Sequence, residues 1–256
     1  MITIAIANHK GGVAKTTTTH ALGSVLASQK RTVLMIDMDP QSSLTEACGI
    51  DAPGASMSEV LGGSRAGTHD LQRIILDIAL PHLFLAPANI DMASTELGLS
   101  GRLVGRELVL RKALEHLPHQ PEFTLIDCPP SLGMLTLNAL MAADYVIIPT
   151  QPQVVDLRGL RLFRETLDLL RNGDGRPHEL GVLLTFYDGR LLLHQRAREA
   201  LHNAGFHIFD TMIGRSVRVA ESPESCHSII DYAPTNPRAL EYQALAQEVL
   251  TCLGTR

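Results

Sequence analysis

Cysteine is scarce in this chain, and its few positions do not pair. The four, Cys48, Cys128, Cys226 and Cys252, lie far apart with no C-x-x-C among them. That spacing argues against a zinc site and against a disulfide framework, and it predicts ordinary buried thiols. Lysine is equally scarce at four residues, so arginine carries most of the positive charge, and the net charge is −5. A nucleic-acid surface on such a molecule has to be a local patch. Beyond residue 150, twelve arginines stand against thirteen acids, a balance of −1 compared with −4 before it. No apolar run reaches the roughly 18 residues a membrane-spanning helix needs. The opening Met1–Ala7 has no basic stretch ahead of its apolar residues, so it reads as a core strand and not as a signal peptide, and cytoplasmic residence is expected. The eleven histidines are scattered; a lone one such as His20 or His116 reads as a packed or surface residue.

What the chain does have is 45% apolar residues over 256 positions, enough for one substantial core, and a single domain over residues 1–256 is expected. Short apolar runs alternate with helix-length segments. The runs are Ile2–Ala7, Val33–Ile36, Leu83–Ala86, Phe123–Ile126, Val146–Ile148, Gly181–Thr185 and Phe209–Ile213. Between them, Glu107–Leu117, Leu160–Leu170, Leu191–Ala204 and Leu240–Leu253 place apolar residues at helical spacing. This alternation predicts an α/β fold, a doubly wound, mainly parallel sheet flanked by helices. The polar, Gly-rich stretch from Asp51 to about Asp70 reads as an irregular connection.

Ligands in such sheets sit at the carboxyl ends of strands. After the first run comes Asn8-His9-Lys10-Gly11-Gly12-Val13-Ala14-Lys15-Thr16-Thr17, followed by a helix-compatible stretch to about Gln29. A Gly-Gly turn between strand and helix is by itself only a connection. Two lysines and the run Thr16–Thr19 change that reading, because four threonines begin a helix poorly and point to hydroxyl chemistry or capping. In a phosphate-binding loop, main-chain N–H groups, the positive helix end and the Lys15 ammonium converge on a polyphosphate, and the Thr16 hydroxyl ligates Mg²⁺. Ala14 stands where glycine is usual, so that position is expected not to need a glycine-only conformation. The second run ends in Asp37-Met38-Asp39-Pro40-Gln41, with both carboxylates on one side of the extended chain. The fourth ends in Asp127, followed by Cys128-Pro129-Pro130-Ser131, and makes Asp127 a candidate Mg²⁺ partner through water.

The pattern K-G-G-x-x-K-[ST]-[ST], then D-x-D-P-Q, then D-x-P-P, resembles the ParA/MinD family of P-loop ATPases with a deviant Walker A motif, most of all the small Soj-like partition ATPases. The resemblance implies ATP and Mg²⁺ as ligands and ATP hydrolysis as the reaction. It implies that Lys10 reaches the partner subunit's phosphates in an ATP-dependent homodimer, with Gly11 and Gly12 allowing close approach and Val13 and Ala14 completing the cradle. Asp39 would orient the attacking water and Asp37 would support the Mg²⁺ shell. The stretch Ser131–Ala142 is similar to the family's switch II helix.

The likeness continues through Ile147–Gln151, Leu183–Arg190 and Ile213–Pro223. There it implies adenine contacts from Phe186, Gly214 and Arg215, although Gly214 and Ser216 stand where the family has Pro and Asn. It also implies sequence-independent DNA binding through Arg190, Arg215 and Arg218, which Arg196 and Arg198 would extend. Taken alone, such arginines read as solvated surface or ion-pair partners.

The implied biology is nucleoid-associated partition of a plasmid, a chromosome or a protein body such as a carboxysome, with hydrolysis stimulated by a ParB-like or other cargo adaptor. Longer plasmid members carry an operator-binding region before the first strand; none precedes Met1, which makes transcriptional self-repression an unexpected role. A MinD-like membrane-positioning ATPase is the alternative. It needs a basic amphipathic C-terminal helix, whereas Ala239–Leu253 holds Glu241 and Glu248 and no Lys or Arg, so no membrane partner is expected. A relative such as the nitrogenase iron protein needs paired cysteines that this chain lacks.

Overall fold

The computed structural model describes residues 1–62, 70–152 and 157–254. Its centre is a seven-stranded sheet in the order β3-β4-β2-β5-β1-β6-β7. The strands are β1 (Ile2–Ile6), β2 (Val33–Asp37), β3 (Leu76–Asp77), β4 (Leu83–Ala86), β5 (Phe123–Asp127), β6 (Tyr145–Thr150) and β7 (His178–Leu184). All neighbours are parallel except β3 against β4. Successive residues of β1 serve opposite faces: Ile4 and Ile6 enter one apolar cluster, Ala5 and Ala7 the other. Burial on both faces is why these strands are apolar throughout.

The first helix, α1 (Lys15–Ser28), lies between the sheet and the C-terminal helix, and eleven of its fourteen residues are buried. Gly23 allows the approach to β2, since a Cβ there would stand 2.8 Å from Met35 Sδ and 3.3 Å from Leu83 Cδ1. The threonine run is helical after all, because its hydroxyls find partners. Thr16 Oγ1 donates to Asp127 Oδ2 at 2.7 Å, Thr18 Oγ1 lies 3.3 Å from Tyr242 Oη, and Thr19 Oγ1 donates to the Lys15 carbonyl at 3.1 Å. Tertiary partners override a weak intrinsic preference.

The remaining helices are α2 (Ser43–Ala47), α3 (Met57–Gly62), α4 (Met92–Ser100), α5 (Val109–Glu115), α6 (Met134–Ala142), α7 (Leu157–Asp174), α8 (Leu192–Asn203), α9 (Val217–Glu221), α10 (Ile229–Tyr232) and α11 (Pro237–Cys252). Three expectations need correction. The stretch 51–70 is not wholly irregular: α3 lies in it, docked through Met57, Val60 and Leu61, while 63–69 fall outside the described residues. Phe209–Ile213 is not a strand. Isolated bridges flank it, Ile208 with Val182 of β7 and Ile213 with Thr185 just past the end of β7, and between them the amides of Asp210 and Thr211 donate to the Glu248 carboxylate of α11 at 2.7 and 3.0 Å. The cysteines are not uniformly buried, since Cys226 and Cys252 are exposed.

His20 on α1 is buried, which lowers its pKa to about 4, with Asp231 opposing and His227 assisting the shift. A depressed folded-state pKa means that the unfolded chain binds the proton first as pH falls through about 6.5, so stability present above that pH is lost on acidification. Between pH 7 and 4.5 the parent should lose about 2 kcal/mol more than a His20→Gln variant. Urea titrations at the two pH values measure it; equal losses would mean that His20 takes up its proton in the folded state at its ordinary pKa.

Candidate active site

The loop after β1 is held by side chains from neighbouring strand ends. Asn8 Oδ1 accepts from the Lys10 amide at 3.0 Å, and its Nδ2 donates to the Pro149 carbonyl at 2.7 Å. Gln151 Nε2 donates to the Gly12 carbonyl at 2.5 Å, and Thr185 Oγ1 to that of Val13 at 3.1 Å. Lys15 is 7% exposed and its ammonium donates to the Lys10 carbonyl at 2.8 Å. Burial lowers the Lys15 pKa, and the nearby Asp127 works against that shift.

Gly12 has φ +70°, and so, nearly, does Ala14 at φ 67°. The expectation for Ala14 therefore fails. The chain must reverse in the left-handed region there so that the Ala14 carbonyl can accept from Thr18 N at 3.0 Å and start α1. A Cβ in that region costs roughly 1–2 kcal/mol, and alanine keeps the cost near its minimum. Gly11 faces Pro130, whose Cβ would stand 3.7 Å from an added Cβ.

Two carboxylates close the other side. Asp37 and Asp127 end neighbouring strands in direct register, and both are fully buried. Asp37 is saturated: Oδ2 accepts from Thr45 N at 2.9 Å and Thr45 Oγ1 at 2.7 Å, and Oδ1 accepts from Asp39 N at 3.0 Å. Asp127 Oδ2 accepts from Thr16, but its Oδ1 is buried without a partner. Burial raises both pKa values, Asp37 to about 6 and Asp127 well above the usual carboxylate range, with the neighbouring Asp37 charge adding to the shift at Asp127. A buried oxygen with an open lone pair, beside a threonine hydroxyl, is the hard donor set that suits Mg²⁺. Asp39 is half-buried, with Oδ1 accepting from Gln41 N at 3.0 Å.

Lys15, Thr16, Thr17, Asp39 and Phe186 border one cleft of about 700 Å³. At its far end Phe186 sits at φ 54°, a strained conformation for a bulky residue. The Arg215 guanidinium lies 5.6 Å from its ring centre. Gly214 departs from the family pattern for a visible reason. Its N–H donates to Glu241 Oε2 at 2.9 Å, which proline cannot do, and a Cβ would fall 1.7 Å from Arg238 Nη1. Ser216 accepts from Arg218 N at 3.2 Å and caps α9.

The arginines are less tightly grouped. Arg190 and Arg215 border one hollow of about 600 Å³, and Arg218 is not part of its lining. Arg190 is paired with Asp188 at 2.8 Å, and Arg218 with Glu221 at 3.1 Å. Arg190 holds the Asp188 carboxyl down at about 2. Arg196 and Arg198 are exposed on α8. Thr45, Asn8 and Gln151 were not singled out as site residues from the sequence. Their contacts join segments distant along the chain, and no spacing announces them.

A family model described as an AAA domain matches residues 1–176. Over 249 residues the sequence is 39% identical to the chromosome-partitioning ATPase Soj of Thermus thermophilus, covering 96% of this chain and 94% of that one. Over 248 residues it is 38% identical to the sporulation initiation inhibitor protein Soj of Bacillus subtilis, covering 96% and 97%. Among solved structures, cobyrinic acid a,c-diamide synthase of Mycobacterium smegmatis with bound ADP and magnesium is similar at TM-score 0.86 and 32% identity, covering 99% of this chain and 96% of that one.

Thr45 donates to Asp37 and also accepts from Ala88 N at 2.9 Å. Thr45→Val keeps the shape but leaves both buried partners short of a bond, at about 1–3 kcal/mol each. We expect destabilisation by about 2–4 kcal/mol in urea unfolding, largely restored by Thr45→Ser; a variant as stable as the parent would show that the network carries no net stability.

Proposed function

The chain belongs to the ParA/MinD family of P-loop ATPases with a deviant Walker A motif, and on that premise we propose that it is a partition or positioning ATPase driven by ATP. The observation that carries the reading is the single cleft joining Lys15, Thr16 and Asp39, with Asp127, one oxygen still open, hydrogen-bonded to the Thr16 hydroxyl. Similarity to a diamide synthase supports the nucleotide and magnesium site, while the two Soj relatives, at higher identity, support the biological role.

In this reading residues 1–256 act as one domain. Lys15 compensates phosphate charge, and the loop amides and the start of α1 receive the phosphate oxygens. Thr16 and Asp127 hold Mg²⁺ with Asp37 behind them, and the ion supplies charge neutralisation on the phosphates. Asp39 orients the attacking water. Phe186, Gly214 and Arg215 flank the base. Lys10 reaches the phosphates of a second copy, so ATP closes a homodimer. The dimer holds DNA without sequence preference through Arg190, Arg215 and Arg218, and a ParB-like or other cargo adaptor stimulates hydrolysis and release. The protein then works in the cytoplasm, on the nucleoid. The MinD-like alternative gains no support from α11, whose Tyr242, Leu245 and Val249 are buried in the core and so are not available to a membrane.

Asp39→Ala should keep ATP binding and lose hydrolysis, since removing a water-positioning group commonly costs about 10²–10⁴ in rate. Gel filtration with ATP is expected to show a persistent dimer, with Lys15→Ala as the control that fails to bind ATP in calorimetry. A monomeric Asp39→Ala variant, or one hydrolysing at the parent rate, would move the catalytic role elsewhere.

Arg218→Glu combined with Arg190→Glu should abolish ATP-dependent binding to random duplex DNA while leaving ATP affinity intact. Removing one arginine–phosphate pairing makes the plot of log affinity against log salt shallower by about one unit. Equal affinity and slope for variant and parent would make these arginines surface ion-pair residues only.

A further inference from the structure

Behind the nucleotide cleft lies a second hollow of about 330 Å³, whose walls include His20 on α1, Cys48 at the end of α2, and Cys226 with His227 just before α10. The two cysteines, 178 positions apart in sequence, both border it, near enough for the charge of one to act on the other. Cys48 Sγ lies 3.9 Å from His20 Nε2. Gly49, the next residue, is pressed against Cys226 so closely that a Cβ on it would stand 3.1 Å from Cys226 Cβ and 3.4 Å from its Sγ. Both thiols are free; Cys226 is exposed and Cys48 half-buried. A metal ion is not the natural occupant, since no three His, Cys, Asp or Glu groups among the described residues are placed to hold one.

The location matters because each cysteine ends a wall of the nucleotide cleft. Ser43, Glu46 and Ala47 line that cleft immediately before Cys48, and Ser222, Pro223 and Glu224 line it shortly before Cys226. His20 and Ser228 border both cavities. We propose that Cys48 and Cys226 form a reversible disulfide that ties these two walls together and slows nucleotide exchange. Intracellular disulfides that form and break are characteristically redox-sensing.

The oxidant is a low-molecular-weight disulfide, RSSR. The exposed Cys226 thiol loses its proton and attacks one sulfur of RSSR, forming a Cys226–SR bond and releasing RS⁻, which takes up the proton. Cys48 then attacks the Cys226 sulfur, the S–SR bond breaks, and the second RS⁻ leaves as RSH with the Cys48 proton. Two protein thiols are oxidised and one small disulfide is reduced to two thiols. The order follows from accessibility and acidity: burial pushes the Cys48 thiol up to about 12, so it is the resolving and not the entering sulfur.

The disulfide stands independently of the assigned activity, whereas its effect on exchange rests on the nucleotide reading of the cleft. The full chain is incubated with oxidised glutathione, mapped by mass spectrometry without reduction, and assayed for release of a fluorescent ADP analogue. A Cys48–Cys226 cross-linked peptide is expected, two hydrogens lighter than its parts, absent in Cys48→Ser and Cys226→Ser and reversed by dithiothreitol. Release should slow by about tenfold in the oxidised parent and stay unchanged in Cys226→Ser. A glutathione adduct that persists on Cys226, or a cross-link to Cys252 instead, overturns the pair. A cross-link with unaltered release overturns the gating. A reduced protein that binds no nucleotide would count against the ATPase reading and leave the mass result standing.

Discussion

The placement of two buried carboxylates side by side is the constraint around which this molecule is arranged. Asp37 and Asp127 are paired in register at the ends of adjacent parallel strands, out of water and within each other's field. Left alone, such a pair favours protonation, and both shift in that direction. The chain answers with different treatments. Asp37 is surrounded by three donors from Thr45 and Asp39, so its geometry is fixed. Asp127 receives one hydroxyl and keeps an oxygen open. One carboxylate braces the loop that carries Asp39, and the other keeps the open oxygen on which the proposed Mg²⁺ site rests.

The loop facing them is organised by strain accepted locally and offset globally. Gly12 and Ala14 turn through the left-handed region within three residues, and Phe186 does the same at the opposite end of the cleft. Such conformations persist only where surrounding contacts over-determine them. Here the contacts are the bonds from Gln151 and Thr185 to the loop carbonyls, and the bond from Tyr187 N to Ile213 O at 2.9 Å beside Phe186.

The C-terminal helix α11 reaches much of this machinery. Tyr242 meets Thr18 one turn into α1, Glu241 accepts from Gly214 at the far end of the cleft, and Glu248 takes the amides of Asp210 and Thr211 away from the sheet. A helix that looked like a covering element from its apolar spacing thus positions the residues proposed to hold the base.

Local pattern was enough to place most of the strands, to give the order of the three motifs and to single out Lys15, Thr16, Asp37, Asp39 and Asp127 as candidates, because apolar alternation and the residue types that phosphate requires can be read from spacing. It left open which of the two aspartates would be saturated, and it pointed the wrong way on Ala14, which takes a glycine-like conformation, and on 209–213, which leaves the sheet. Those outcomes depend on partners such as Thr45, the Ala14–Thr18 turn and Glu248, none of them marked by any pattern along the chain. The meeting of Cys48 with Cys226 belongs to the same class. Only the packing of α2 against the turn before α10 brings them together, since contacts between residues far apart in sequence arise from the closure of the whole fold and from no property of either residue.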